Sequence, residues 1–272
     1  MNTPHNYYIA PAFDATRAWV LHTHDILTFG YDVSPRGKLT KELPQRTMVV
    51  DMREPVLLIP ERNLSYQFMA AEAYWILTGD DRVETIAPYN KNIAQFSDDG
   101  VRYFGAYGPK IMDQVNYVIE KLRNDPSSRQ GVINIWREKP PATKDVPCTI
   151  SMVFSIRDRK VNCHVFMRSS DAWLGVPYDV FNFSMVAHYI TARLNEGIDL
   201  NPHYEPGVLF LTAASAHIYE QHFEPAKQLL GLTIPIKVSK TPGVLYNDPE
   251  GLISYLGELR DSKPGNPLRW WE

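Results

Sequence analysis

Apolar and polar positions along this 272-residue chain repeat with two different periods, and the changes of period divide it into elements. From Pro11 to Gly30, Phe13, Trp19, Val20, Ile26 and Leu27 recur at roughly helical spacing, and Gly30 suits a stop, which predicts an opening helix. Ser34-Pro35-Arg36-Gly37-Lys38 reads as a loop with two cations. Thr47 to Ile59 is rich in Val, Ile and Leu and is broken by Pro55 and Pro60, which predicts strands bounded by irregular turns. Phe68, Ala71, Glu72, Trp75 and Ile76 share one face of a helix that closes at Gly79. Tyr103 to Tyr107, with Gly105 and Gly108, forms a close-packed turn before a helix from Pro109 to Leu122.

Asp125-Pro126-Ser127-Ser128-Arg129 leads into a strand from Gly131 to Trp136, and a charged, proline-rich loop runs from Arg137 to Val146. Cys148 opens the next strand. Ile150–Ile156 and Lys160–Arg168 flank Arg157-Asp158-Arg159 as a hairpin. In its second strand Val161, Cys163, Val165 and Met167 share one face, while Asn162, His164, Phe166 and Arg168 share the other. Cys163 therefore reads as core. Phe181 to Leu194 is the best amphipathic pattern in the chain and begins just after Asp179. No repeat or long linker interrupts the sequence, so residues 1–272 are expected to form one domain.

Composition narrows the functional classes. With 44% apolar and 12% aromatic residues the chain can bury a substantial core. A net charge of −3 gives no global field for long nucleic acid, although a few arginines still suit one phosphate. No apolar run is long enough for a membrane span. Two cysteines and no secretory leader fit a reduced, cytoplasmic setting. The eight histidines are scattered, and His22 and His24, two apart, diverge on a helix. Both are expected at the surface, and no metal site is expected.

The chemistry gathers between Cys148 and Asp179. A cysteine at the start of a strand is commonly mere packing, but Cys148 follows a proline turn and lies near arginine candidates suited to a thiolate. Arg36, Arg129 and Arg168 with Ser169 are three sites suited to one phosphate. Glu72 is a carboxylate on an apolar stripe. Its bland reading is a rim residue paired with a cation.

These residues resemble the thymidylate synthases and their relatives, the pyrimidine nucleotide hydroxymethylases. The likeness runs from about Arg36 to Tyr219 and is densest in Asn124 to Arg129, Pro147-Cys148, Arg168 to Asp171, Leu174-Gly175-Val176-Pro177-Tyr178-Asp179 and His217-Ile218-Tyr219. The resemblance implies an α/β fold with a large mixed β-sheet flanked by helices, one sheet face forming the interface of an obligate homodimer. It makes Cys148 the nucleophile that adds to C6 of a pyrimidine nucleoside monophosphate. Arg36, Arg168 and Ser169 become phosphate ligands, with Arg129 reaching the same phosphate from the other subunit. His217 and Tyr219 bind the sugar hydroxyl, Glu72 organises proton transfers near C5, and Tyr107 lines the site. The co-substrate implied is 5,10-methylenetetrahydrofolate, its pterin against Asp171, with Ile93, Leu174 and Gly175 on the folate side.

Departures from the family pattern refine this expectation. Asp179 stands where thymidylate synthases carry an asparagine that reads uracil. A carboxylate accepts from the N4 amino group of cytosine, and a shared proton supplies the bond to N3. Ile93 stands near the position of a shielding tryptophan, Thr149 replaces a histidine, and the terminal Pro267-Leu268-Arg269-Trp270-Trp271-Glu272 differs from the usual closing tail. All three favour water over hydride as the final donor. Gln130 replaces a second arginine, and Thr212-Ala213-Ala214-Ser215 replaces a glycine pair and an aspartate, leaving ribose or deoxyribose open. The expected activity is deoxycytidylate 5-hydroxymethylation. Alternatives are hydroxymethylation of CMP, methylation of a cytosine nucleotide, thymidylate synthesis, or nucleotide and folate binding without turnover.

Overall fold

The computed structural model describes residues 12–197, 203–232 and 239–262; the terminal Trp270-Trp271 segment lies outside them. The elements in chain order are α1 (Ala15–Phe29), β1 (Tyr31–Val33), β2 (Thr40–Asp51), α2 (Tyr66–Leu77), α3 (Val83–Ile86), α4 (Tyr107–Asn124), β3 (Gly131–Asn134), β4 (Thr149–Arg157), β5 (Lys160–Met167), β6 (Ser170–Asp171), α5 (Val176–Asn195), β7 (Glu205–Tyr219), α6 (Phe223–Leu230) and α7 (Pro249–Asp261). The strands form one seven-stranded sheet in the order β1-β2-β7-β5-β4-β3, with β6 beside β7. β5 and β6 run parallel to β7 and the other pairs are antiparallel, so the sheet is mixed as expected.

Register explains which face is buried. Ile133, Met152, Val165, Leu211 and Met48 lie opposite one another across five strands, and Phe154, Cys163, Leu209 and Val50 form the adjacent row. All of these are buried, as the alternation in β5 requires. The opposite face carries Val132, Val153, His164, Phe210 and Val49, and beside them Ser151, Phe166, Thr212 and Thr47. His164 stacks on Phe210 with centroids 4.4 Å apart, and Phe166 is 41% exposed in the single chain. The β4–β5 hairpin turns through Asp158 (φ 49°) and Arg159 (φ 63°), the two left-handed positions of a tight turn.

Several elements differ from the sequence pattern. β2 begins at Thr40 and stops at Asp51, and residues Val56–Ile59 are buried without joining the sheet. Pro55 and Pro60 bracket them, and their backbone bonds to side chains instead: Leu58 N–H donates to Thr16 Oγ1 (2.9 Å) and Leu57 C=O accepts from Tyr66 Oη (2.9 Å). α5 starts before Asp179 and is enclosed almost all round rather than amphipathic. Its polar residues turn back on the helix, Ser184 Oγ to Val180 O and Thr191 Oγ1 to Ala187 O, each at 2.7 Å. α4 runs two residues beyond its expected span at each end, and β3 ends at Asn134 rather than Trp136. His24 is exposed as expected, but His22 is buried, and burial with the nearby Arg46 lowers its pKa to about 4.

Candidate active site

Cys148 is placed by its neighbours on both sides. Arg168, just past the end of β5, donates from Nε to Pro147 O and from Nη2 to Val146 O, both at 3.0 Å, and Nη2 lies 3.7 Å from the thiol sulfur. Tyr107, the first residue of α4, accepts at its hydroxyl from Thr149 N–H at 3.2 Å. The thiol is thus fixed by a fork of donors before it and a phenol after it. Its pKa is raised, chiefly by burial; Arg168 and Arg36 pull it down, while Asp179 and Asp145 push it up. Burial thus outweighs the pull of the two arginines on the thiol.

The sulfur lies where two cavities meet. A cleft of about 970 Å³ is lined by Cys148 with Arg36, Arg168, Ser169, His217 and Tyr219, and also by Asp171 and Leu174. Arg36 stands in a tight turn with φ of 54°, its side chain exposed to the cleft. His217 and Tyr219 lie two apart on β7, rings edge to face at 5.2 Å. Asp171 Oδ1 accepts from Trp173 N–H (2.9 Å) and Leu174 N–H (3.0 Å). A smaller chamber of about 190 Å³ behind Cys148 is lined by Glu72, Ile93, Tyr107, Asp145, Asp179 and Asn182.

Three carboxyls in that chamber are held towards their protonated forms, Asp145 chiefly by burial, opposed by its bond from Gly105 N–H. Glu72 accepts from Asn182 Nδ2 at 2.6 Å, and burial, opposed by that bond, raises its pKa to about 7. Asp179 is pushed well above the usual carboxylate range, first by burial and then by the charges of Glu72 and Asp171. Gly175 lines neither cavity; a Cβ there would lie 3.2 Å from Asp179 Oδ2, so this glycine lets the loop close behind Asp179. Arg129 is exposed and also lines neither cavity within the one chain.

Several lining residues carry no motif in the sequence, Asn182, Phe96 and Asp145 among them. Asn182 sits three residues after Asp179 on α5, a polar residue in an apolar run, and that was its one signal. Phe96 borders both cavities, and Asp145 enters the chamber because its Oδ2 accepts from Gly105 N–H at 2.6 Å. Nothing local marks those two. A further cavity of about 430 Å³ lies beside Trp75 and Arg260, but its arginines, Arg82 and Arg260, are already paired with Asp80 and Asp261. Among the described residues, a cysteine, cations and carboxyls of raised pKa converge on the cleft and chamber just described.

A thymidylate synthase model matches residues 18–238 of the chain. The chain belongs to the thymidylate synthase family. The motifs at Arg36, Cys148, Arg168-Ser169 and His217-Tyr219, dispersed over the sequence of this thymidylate synthase-family protein, meet around one cleft. The deoxyuridylate hydroxymethyltransferase of Bacillus phage SP01 is 28% identical to it over 263 residues, 88% of this chain and 64% of the relative. The chain therefore spans less than two thirds of that relative's length. The thymidylate synthases of Buchnera aphidicola subsp. Schizaphis graminum (strain Sg) and of Vesicomyosocius okutanii subsp. Calyptogena okutanii (strain HA) are each 24% identical, over 223 and 235 residues. Those alignments each cover 76% of this chain and 79% of the relative. Among the described residues of this family member, no group of three or more His, Cys, Asp or Glu is placed to hold a metal, and no helix is long and apolar enough to cross a membrane.

Proposed function

We propose that residues 1–272 form one catalytic domain that converts dCMP to 5-hydroxymethyl-dCMP. The observation that carries the choice of cytosine is Asp179, a carboxyl whose pKa is raised in the chamber that Cys148 borders. A carboxyl that shares one proton with N3 and accepts from N4 holds cytosine whichever partner carries that proton, whereas uracil, with N3–H and O4, pairs only with the protonated acid turned to donate to O4. Bonding at N3 also withdraws electrons from C6, where the Cys148 thiolate adds. Arg36, Arg168 and Ser169 take the phosphate, His217 and Tyr219 the sugar, and Arg129 of a second copy completes the phosphate site.

5,10-Methylenetetrahydrofolate, as co-substrate, supplies the one-carbon unit. The lining fits it: Asp171 spends Oδ1 on backbone donors and keeps Oδ2 for an amino group, and Leu174, 53% exposed, offers an apolar face beside it. Glu72, titrating near 7, accepts the C5 proton through water and returns a proton as the thiol leaves. Ile93 borders the chamber at the position where the resemblance places a shielding tryptophan; the indole that does line it, Trp75, comes from α2, and the chamber's volume of about 190 Å³ leaves room for water. Loss of the C5 proton expels tetrahydrofolate, whose nitrogen takes up a proton, and leaves an exocyclic methylene on the base; water adds its hydroxyl to that carbon, and the Cys148 sulfur leaves C6 last, restoring the C5–C6 double bond. The name of the phage SP01 relative supports this hydroxymethyl outcome.

The same name supports a second reading, hydroxymethylation of dUMP. A mass-resolved assay with 5,10-methylenetetrahydrofolate and dCMP, CMP or dUMP separates the readings. The expected product is hydroxymethyl-dCMP, with Asp179→Asn losing cytosine turnover by about a hundredfold or more and gaining uracil turnover. Turnover of dUMP alone by the wild type would overturn the role given to Asp179. A methyl product would overturn the role given to water.

A further inference from the structure

β2 and β7 pair so that Glu42 lies opposite His217, Thr40 opposite Tyr219 and Pro44 opposite Ser215. Residues two apart on a strand share a face, and Glu42, Ser215, His217 and Tyr219 all line the cleft. Ser215 Oγ donates to Glu42 Oε2 at 2.5 Å. Glu42 has no ion-pair partner among the described residues, and its second oxygen is left for a ligand. Ser215 is the position where the resemblance to the thymidylate synthases places an aspartate. The carboxylate missing from β7 is therefore supplied by the neighbouring strand, and the serine that replaced it now aims that carboxylate.

A carboxylate accepts hydrogen bonds and repels phosphate, so in a nucleotide cleft it needs a neutral donor. The hydroxyl donors of a pyrimidine nucleotide are on its sugar. We propose that Glu42, positioned by Ser215, is a sugar-specificity residue that accepts a hydrogen bond from the 3′-hydroxyl of the nucleotide beside His217 and Tyr219. The inference rests on the nucleotide reading of the cleft, and it is independent of which base is bound.

The test is titration calorimetry of the full chain with dCMP and dUMP, each paired with its 2′,3′-dideoxy analogue. Glu42→Gln is isosteric and keeps an acceptor for Ser215. It is expected to raise the Kd of the deoxynucleotide about tenfold to a hundredfold while leaving the dideoxy analogue within about twofold. Ser215→Ala should show the same substrate pattern with a smaller factor, and it provides the test if the glutamate variant folds poorly. Equal weakening of both members of a pair would show a merely structural role and overturn the proposal, as would no weakening of either. If only the dUMP pair binds, the cytosine assignment fails and the sugar proposal is read from that pair. If no nucleotide binds, both fall.

Discussion

Glu72 shows how one residue links stability to chemistry. The stripe of α2 marks it in the sequence as a carboxylate among apolar neighbours, and the structure puts it in the chamber with Asn182 as its donor. Its folded pKa, about 7, lies above the unfolded value, so the stability it contributes is fully present below the ordinary carboxylate range and is lost as pH rises through about 7. Glu72→Gln should therefore unfold at a higher temperature than the wild type at about pH 8, with the difference closing at about pH 5, in calorimetry across that range. The same variant should lose about a hundredfold or more in kcat. An equal shift in unfolding temperature at both pH values would contradict the titration of Glu72. Motif residues such as Cys148, Arg168 and His217 are legible in the sequence because each sits in a short run with a fixed pattern. Phe96 and Asp145 are not, because only tertiary packing brings them to the thiol.

At the scale of elements, period-2 alternation is the most reliable guide: the β4–β5 hairpin, its buried face and its turn all follow from it. β7 is harder to see. Its fifteen residues include Gly207 and the small residues Ala213, Ala214 and Ser215, poor strand formers that are held in the sheet by β2 on one side and β5 and β6 on the other. α5 misleads in the opposite sense, since self-bonded Ser184 and Thr191 imitate a solvent face. The turn before α4 depends on a close approach: a Cβ on Gly105 would lie 2.6 Å from the backbone oxygen of Asp145. Gly105→Ala must displace the loop that leads to Cys148. Urea unfolding should show a loss of about 1–3 kcal/mol, and kcat should fall because the thiol moves with its loop. Unchanged values of both would mean that the loop adjusts freely.

For the whole molecule, the uncovered sheet face is the feature that a single chain leaves unfinished. Val153, Phe166, Phe210 and the His164 ring form an apolar area on the side away from the buried face. A second copy packed there is the arrangement the resemblance implies, and the same resemblance assigns to it the exposed Arg129, which lines neither of its own chain's two site cavities. Mixing inactive Arg129→Ala and Cys148→Ser chains, then allowing subunits to exchange, should restore about a quarter of wild-type activity, because half the dimers are mixed and each mixed dimer holds one intact site. No recovery after confirmed exchange would place Arg129 outside the shared site. Sequence could supply this expectation only through resemblance, since a two-sided apolar sheet looks the same whether a helix or another chain covers it. The position of Cys148, open to the cleft in front and the chamber behind, has one more consequence. On the proposed reading, a nucleotide seated in the cleft would lie across the side of the chamber that Cys148 borders, so the substrate itself would narrow the way by which solvent reaches the reacting carbon.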